Sequence, residues 1–279
     1  MMLRRLAFAS AAVLVIAAAG GAGWGLRHLE QSPPPAAVVS DEMPVPPFPP
    51  RIVENDQYDK CMTMLADDPE GADAIAASWQ AAGGGIGAVH CQALAKIAGG
   101  EPQTGADMLE KLAHTDKVEG MIRVLLLSQA AEARMMAEQA EQALTDTTEA
   151  LALSPDDPDL LISRANASDA LERPTQAMDD LNEALARDPK RGDALVLRAS
   201  VWRKMDMLEE ARTDIDKAIS LDPEDAEALL ERGILRQLTG DRDGARQDWT
   251  HAEKADPNSE AAELAAQNLT LLDAGPAEK

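Results

Sequence analysis

Residues 226–259 read AEALLERGILRQLTGDRDGARQDWTHAEKADPNS: two helical stretches parted by Gly240-Asp241 and closed by Asp256-Pro257. Stepping back 34 residues at a time from Pro257 lands on Pro223, Pro189 and Pro155, and three of the four prolines follow an aspartate, Asp188, Asp222 or Asp256. A fixed period of this length marks a chain built by stacking one supersecondary unit. Aligned on the prolines, Ala143, Ala177, Ala211 and Ala245 form one column and Ala150, Ala184, Ala218 and Ala252 another, seven residues on. Seven residues is two helical turns, so both columns share a face of the second helix of each unit, where a small side chain lets the first helix approach. Ala131, Ala165, Ala199 and Gly233 form the matching small column of the first helix.

These columns resemble the tetratricopeptide repeat family, a 34-residue helix-turn-helix with small residues at these places and a closing proline. Four repeats match, at 124–157, 158–191, 192–225 and 226–259, within a segment 121–259. The last is the best match, with Gly233, Leu238, Gly240-Asp241, Ala245, Trp249, Ala252 and Asp256-Pro257 in place. The chain departs from the pattern at Thr147 and Ser168, where the family often carries bulk, and at Pro174, which replaces the usual aromatic at the turn. The first two repeats are therefore expected to pack less tightly. The resemblance implies a right-handed α-solenoid of antiparallel helix pairs; the chain as a whole reads as all-α, with an N-terminal transmembrane or signal helix and a Pro-rich linker ahead of the solenoid.

Arg164, Arg198 and Arg232 recur at one column, and Asp180, Asp214 and Asp248 sixteen residues later. Partly buried bidentate pairs between the two helices of each repeat are expected, fixing register more than adding net stability. Upstream, 54–120 reads as two degenerate helical hairpins: helices near 55–66, 71–82, 86–98 and 103–114, broken by Asp67-Asp68-Pro69, Gly83-Gly84-Gly85 and Gly99-Gly100-Glu101-Pro102. Ala74 and Ala81, then Gly105 and Leu112, are the expected small-column residues there. Residues 260–279 read as a capping helix and tail, which a solenoid needs to cover its last apolar face.

The first residues read differently. Arg4 and Arg5 precede an uncharged run from Leu6 to Leu26, long enough to span a bilayer, so 1–31 is expected to be a signal-anchor or transmembrane helix with its N-terminus cytoplasmic. In a bacterium the rest would lie in the periplasm. The small residues Ala17 to Gly25 also admit cleavage, which would release the chain to the periplasm; the length of the run, with Trp24 near its end and Arg27 and His28 behind it, favours retention. Eight prolines between Pro33 and Pro50 make 32–53 a stiff linker.

A hydrophobic content of 45% with only 3% aromatic residues fits Ala-rich helices that pack closely. A net charge of −23 argues against nucleic acid and anionic lipid heads, and a basic or neutral protein or peptide partner fits better. Cys61 and Cys91 fall in the first helices of adjacent degenerate repeats, where either a disulfide or two buried thiols fits. With His90 they lack a fourth metal ligand. Gly83 to Gly87 has neither a preceding strand nor a Lys-Ser/Thr pair, and reads as a helix break instead of a phosphate loop. His28, His114 and His251 have no nucleophile or carboxylate set around them, so neither catalysis, a cofactor, a metal nor a small-molecule substrate is expected.

The family's concave face is lined by first helices, which nominates Met135 and Met136, then Ile162, Asn166 and Asp169, then Val196, Ser200, Arg203 and Lys204, then Leu230, Ile234, Gln237 and Leu238 as a partner-binding groove. Members that clamp a C-terminal carboxylate use a Lys and Asn set, of which Asn166 alone matches part. The expected function is a membrane-tethered scaffold in a cell-envelope assembly; the alternative is a periplasmic chaperone or accessory factor that binds unfolded clients.

Overall fold

The computed structural model describes residues 51–274. The expected N-terminal helix, most of the Pro-rich linker and residues 275–279 lie outside the described residues. Thirteen α-helices and no strand occur among the described residues: α1 (Asp56–Met64), α2 (Pro69–Ala81), α3 (Gly85–Ala98), α4 (Pro102–Ala113), α5 (Gly120–Met136), α6 (Ala140–Leu153), α7 (Pro158–Ala170), α8 (Pro174–Arg187), α9 (Gly192–Lys204), α10 (Leu208–Leu221), α11 (Ala226–Leu238), α12 (Arg242–Ala255) and α13 (Glu260–Ala274). Each helix packs on its neighbours in sequence, and α5, α7, α9, α11 and α13 also touch one after another, so odd-numbered helices form one layer and even-numbered helices the other.

The aspartate-proline pairs set the period through two local effects. Proline cannot continue a helix and biases the residue before it away from helical backbone, so α8, α10 and α12 stop at Arg187, Leu221 and Ala255. The aspartate then closes an Asx turn, with Asp188 Oδ1 accepting from Lys190 N at 2.9 Å and Asp222 Oδ1 from Glu224 N at 2.9 Å. The following helices restart on caps: Asp157 accepts from Asp159 N, with Pro158 as first helical residue, and Asp225 accepts from Glu227 N and Ala228 N. Between the helices of each repeat the chain turns through a left-handed residue, and these too lie 34 apart: Glu138, Glu172, Asp206 and Gly240, with φ of 58°, 56°, 63° and 89°. Only the last is glycine, so three turns hold a side chain in backbone that disfavours it.

Packing explains the small columns. Ala131, Ala165, Ala199, Ala143, Ala177, Ala211, Ala245, Ala150, Ala184 and Ala252 are fully buried, and Gly233 is buried too. Bulk is traded across each helix pair: Trp249 lies against Gly233, whereas Ile215, Leu181 and Thr147 hold its column in the repeats whose first helix carries alanine. Thr147 turns its hydroxyl back onto Ala143 O at 2.8 Å, so the polar residue in the first repeat is satisfied locally.

Upstream, α1 to α4 form two shorter hairpins. Their register differs from the expected one: Ala72 and Ala76 face the core beside Tyr58 and Cys61, while Ala74 and Ala81 are exposed. The helices there do not keep the 34-residue spacing, α2, α4 and α6 beginning at Pro69, Pro102 and Ala140, so the columns of the later repeats do not carry over onto α2. Gly105 and Leu112 are buried. Ile52, within the expected linker, packs into the α1–α3 cluster. Cys61 and Cys91 are bonded, joining α1 to α3 with Cα atoms 6.3 Å apart. Beside them the Tyr58 hydroxyl is 2.8 Å from His90 Nδ1, and His90 Nε2 is 2.7 Å from Gln129 Oε1. A neutral imidazole protonated on Nε2 satisfies both bonds and ties α1, α3 and α5 together. Burial holds the His90 pKa below its usual value and pushes the Tyr58 phenol up to about 12.

Candidate functional site

A groove of about 900 Å³ runs along the odd-helix layer. Its apolar floor comes from the column Ile162, Val196 and Leu230, joined by Leu197 and by Leu264 of α13. One turn further along their helices, Asn166 and Ser200 add hydrogen-bonding groups. The remaining charged walls are mostly acidic: Glu132, Asp159, Asp193, Glu227, Glu231 and Glu260 against Arg191. Arg191 is already committed, with Nη1 2.5 Å from Asp159 Oδ1 and Nη2 2.6 Å from Asp193 Oδ2. Arg203 likewise spends its charge on Glu231, with Nε 2.5 Å from Oε1.

Two of the groove carboxylates are held above the ordinary carboxylate range. For Glu132 the first cause is desolvation in the concavity, partly offset by a Ser128 hydrogen bond and reinforced by Asp159. For Glu227 it is desolvation again, then repulsion from Asp225, Asp193 and Glu260. Like charges crowded on a concave wall relax when a cation arrives.

Of the thirteen nominated groove residues, Ile162, Asn166, Val196, Ser200 and Leu230 line this groove. The others sit elsewhere. Met135 packs with Ala131, Ala143 and Ala167 between helix layers, and Ile234 is covered by the cluster around α13. Asp169 and Lys204 form a bridge of 2.7 Å between α7 and α9. Met136 and Leu238 stay exposed at the C-terminal ends of α5 and α11, with Gln237 beside Leu238, off the groove. The acidic wall was missed because Glu132, Asp159, Asp193 and Glu227 sit outside the nominated positions, although the last three lie 34 residues apart and are legible as a column.

The recurring arginine and aspartate columns form bidentate pairs across each helix hairpin. Arg164 Nε and Nη2 lie 2.9 and 2.6 Å from Asp180, Arg198 Nε and Nη2 2.7 Å each from Asp214, and Arg232 Nε and Nη2 2.9 and 2.7 Å from Asp248. In the first repeat the arginine column holds Ala130, and Arg134, one turn later, reaches Asp146 at 3.0 Å instead. These pairs are internal ties between α7–α8, α9–α10 and α11–α12.

Residues 192–225 match a family model described as a tetratricopeptide repeat. The chain carries tetratricopeptide repeats. No curated protein matches its sequence. Solved structures with a similar fold include the APC/C hetero-tetramer Cut9-Hcn1, at 15% identity over 77% of this chain and 42% of that one, with a TM-score of 0.61. Pseudomonas aeruginosa pilF aligns at 17% identity over 76% of this chain and 96% of that one, TM-score 0.56. A thermophilic TPR protein of Thermus thermophilus aligns at 16% identity over 64% and 95%, TM-score 0.55. At these identities the likeness concerns the tetratricopeptide fold alone.

Proposed function

We propose that this tetratricopeptide-repeat chain is a binding scaffold whose odd-helix groove takes a basic, partly apolar segment of a protein partner. The observation that carries the reading is the groove's composition. An apolar floor of Ile162, Val196, Leu230 and Leu264 runs between carboxylates, and the one cation among its described lining residues, Arg191, is internally paired. A segment with lysines or arginines flanking an apolar stripe would bury that stripe and relieve the repulsion around Glu227. Tethering at an envelope membrane, with the repeats in the periplasm, belongs to the same proposal. It is supported by the Arg4-Arg5 pair ahead of the uncharged run to Leu26, by the proline-rich stretch after it, and by a cystine suited to an oxidising compartment.

A fluorescent amphipathic peptide with a lysine-rich polar face, and its twin with glutamate in place of each lysine, test the groove. Saturable anisotropy for the lysine form, weakened by salt and by Asn166→Arg with Glu132→Lys, is expected. Equal binding of the glutamate twin, or binding untouched by the two substitutions, would refute the reading.

A further inference from the structure

The second repeat carries a hollow of about 330 Å³ on the even-helix side, between α6 and α8 and floored by α7. Ser168 lines it, fully buried, and its Oγ has no hydrogen-bond partner among the described residues. A buried hydroxyl left unpaired is costly, so something is expected to meet it. Around it stand Thr148, Arg164, Gln176, Asp179 and Asp180, a wall richer in acceptors than in free donors.

Internal symmetry indicates what fits. The column of Ser168 holds Arg134 in the first repeat, Trp202 in the third and Arg236 in the fourth. Arg134, 6% exposed, sends its guanidinium to Asp146, the column-mate of Asp180, and to Asp107 and Glu110 of the preceding even helix. In the fourth repeat Asp248 Oδ2 accepts from Arg232 Nε at 2.9 Å and has the Arg236 guanidinium as a second ion-pair partner, with Nη1 2.7 Å away and donating to Gly244 O. Asp180 Oδ2 accepts from Arg164 Nε at 2.9 Å in the same way, but has no second arginine, because Ser168 stands where Arg236 would. A carboxylate oxygen has two acceptor sites, so Asp180 retains one. The corresponding hollow of the fourth repeat, about 340 Å³, is lined by Arg236 itself.

We propose that the hollow at Ser168 receives the arginine side chain of a protein partner, whose guanidinium replaces the missing internal one. Its planar fork pairs with Asp180 beside Ser168 as Arg134 pairs with Asp146 in the first repeat, and leaves Asp179 to balance the charge; a lysine ammonium, a single point donor group, cannot make that planar pair. The site lies on the opposite layer from the groove and does not rest on the groove reading.

The test is a titration of the isotope-labelled full chain with capped arginine, capped lysine and capped citrulline, followed through backbone amide shifts of Ser168 and Gln176. Capped arginine should give saturable shifts, with binding weaker by about tenfold or more for lysine and citrulline. Ser168→Trp, which copies Trp202 of the third repeat, should abolish the response. Asp179→Asn, at an exposed position, should weaken it several-fold and serves if the tryptophan variant does not fold. Equal shifts with lysine, no saturable response to arginine, or full binding by Asp179→Asn or by a folded Ser168→Trp would each overturn the proposal.

Discussion

Gly233 and Trp249 are the one pair in which the tetratricopeptide columns combine the smallest and the largest side chain, and the structure sets the cost of disturbing them. A Cβ added at Gly233 would sit 2.3 Å from Trp249 Nε1, 2.6 Å from Cδ1 and 2.9 Å from Cε2. The indole is fully buried and its N–H donates to Leu230 O at 3.2 Å, so it cannot swing clear without losing that bond. Alanine in a helix interior is otherwise favoured over glycine by about 1 kcal/mol. Overpacking costs about 1–3 kcal/mol and loss of the hydrogen bond about 1 kcal/mol. Gly233→Ala should therefore destabilise by about 1–3 kcal/mol. Trp249→Leu alone opens a cavity and should cost about 2–4 kcal/mol. The double variant recreates the Ala165–Leu181 pairing of the second repeat, so it should be more stable than the sum of the singles by at least about 1 kcal/mol. Urea unfolding followed by circular dichroism measures all three. A neutral Gly233→Ala, or strictly additive effects, would show that complementarity between columns does not govern the packing.

Three further outcomes follow from other parts of the chain. Glu172→Gly and Asp206→Gly, at turns with φ of 56° and 63°, should each raise stability by about 0.5–1 kcal/mol in the same assay, because left-handed backbone costs glycine nothing. Replacing Cys61 and Cys91 by serine opens a loop with a sequence separation of 30 and should cost about 3 kcal/mol, with α1 and α2 losing hydrogen-exchange protection first. His90 has a folded pKa below its unfolded value near 6.5, so below about pH 6.5 the unfolded chain binds the extra proton and stability falls as pH drops. The raised pKa values of Glu132 and Glu227 act in the opposite direction, so the slope should be compared with that of His90→Gln, in which the His90 contribution disappears.

What the sequence makes legible is what repetition exposes. The 34-residue spacing of Pro155 to Pro257 locates eight helices, since each boundary is written in local chemistry: a proline that stops a helix and an aspartate that turns the chain. The small columns are equally plain because every repeat solves the same close approach with the same residue size. Outside the period this logic lapses: spacing points to Ala74 and Ala81, whereas Ala72 and Ala76 hold the buried face. The groove was only partly legible for a different reason. Its floor of Ile162, Val196 and Leu230 follows the helical period, but the ends of the odd helices lean on the next repeat, so that Asp169, Arg203 and Lys204 spend their charges on internal bridges. Which polar residues remain free depends on contacts between repeats, and spacing alone does not encode those contacts. Ser168 is a case in point: the sequence marks it as a departure from the family pattern, and only the packed structure shows the hollow beside it.

Site-specific photocrosslinking reads out, at single residues, whether the odd-helix groove receives a basic segment of a partner. A photoreactive residue placed at Asn166 or Ser200 faces the groove, and one at Gln247 of α12 faces away from it. With the full chain and the lysine-rich peptide, Asn166 and Ser200 should crosslink in a salt-sensitive way while Gln247 does not. Equal crosslinking from Gln247, or none from either groove position under conditions where the peptide binds, would contradict binding in the groove.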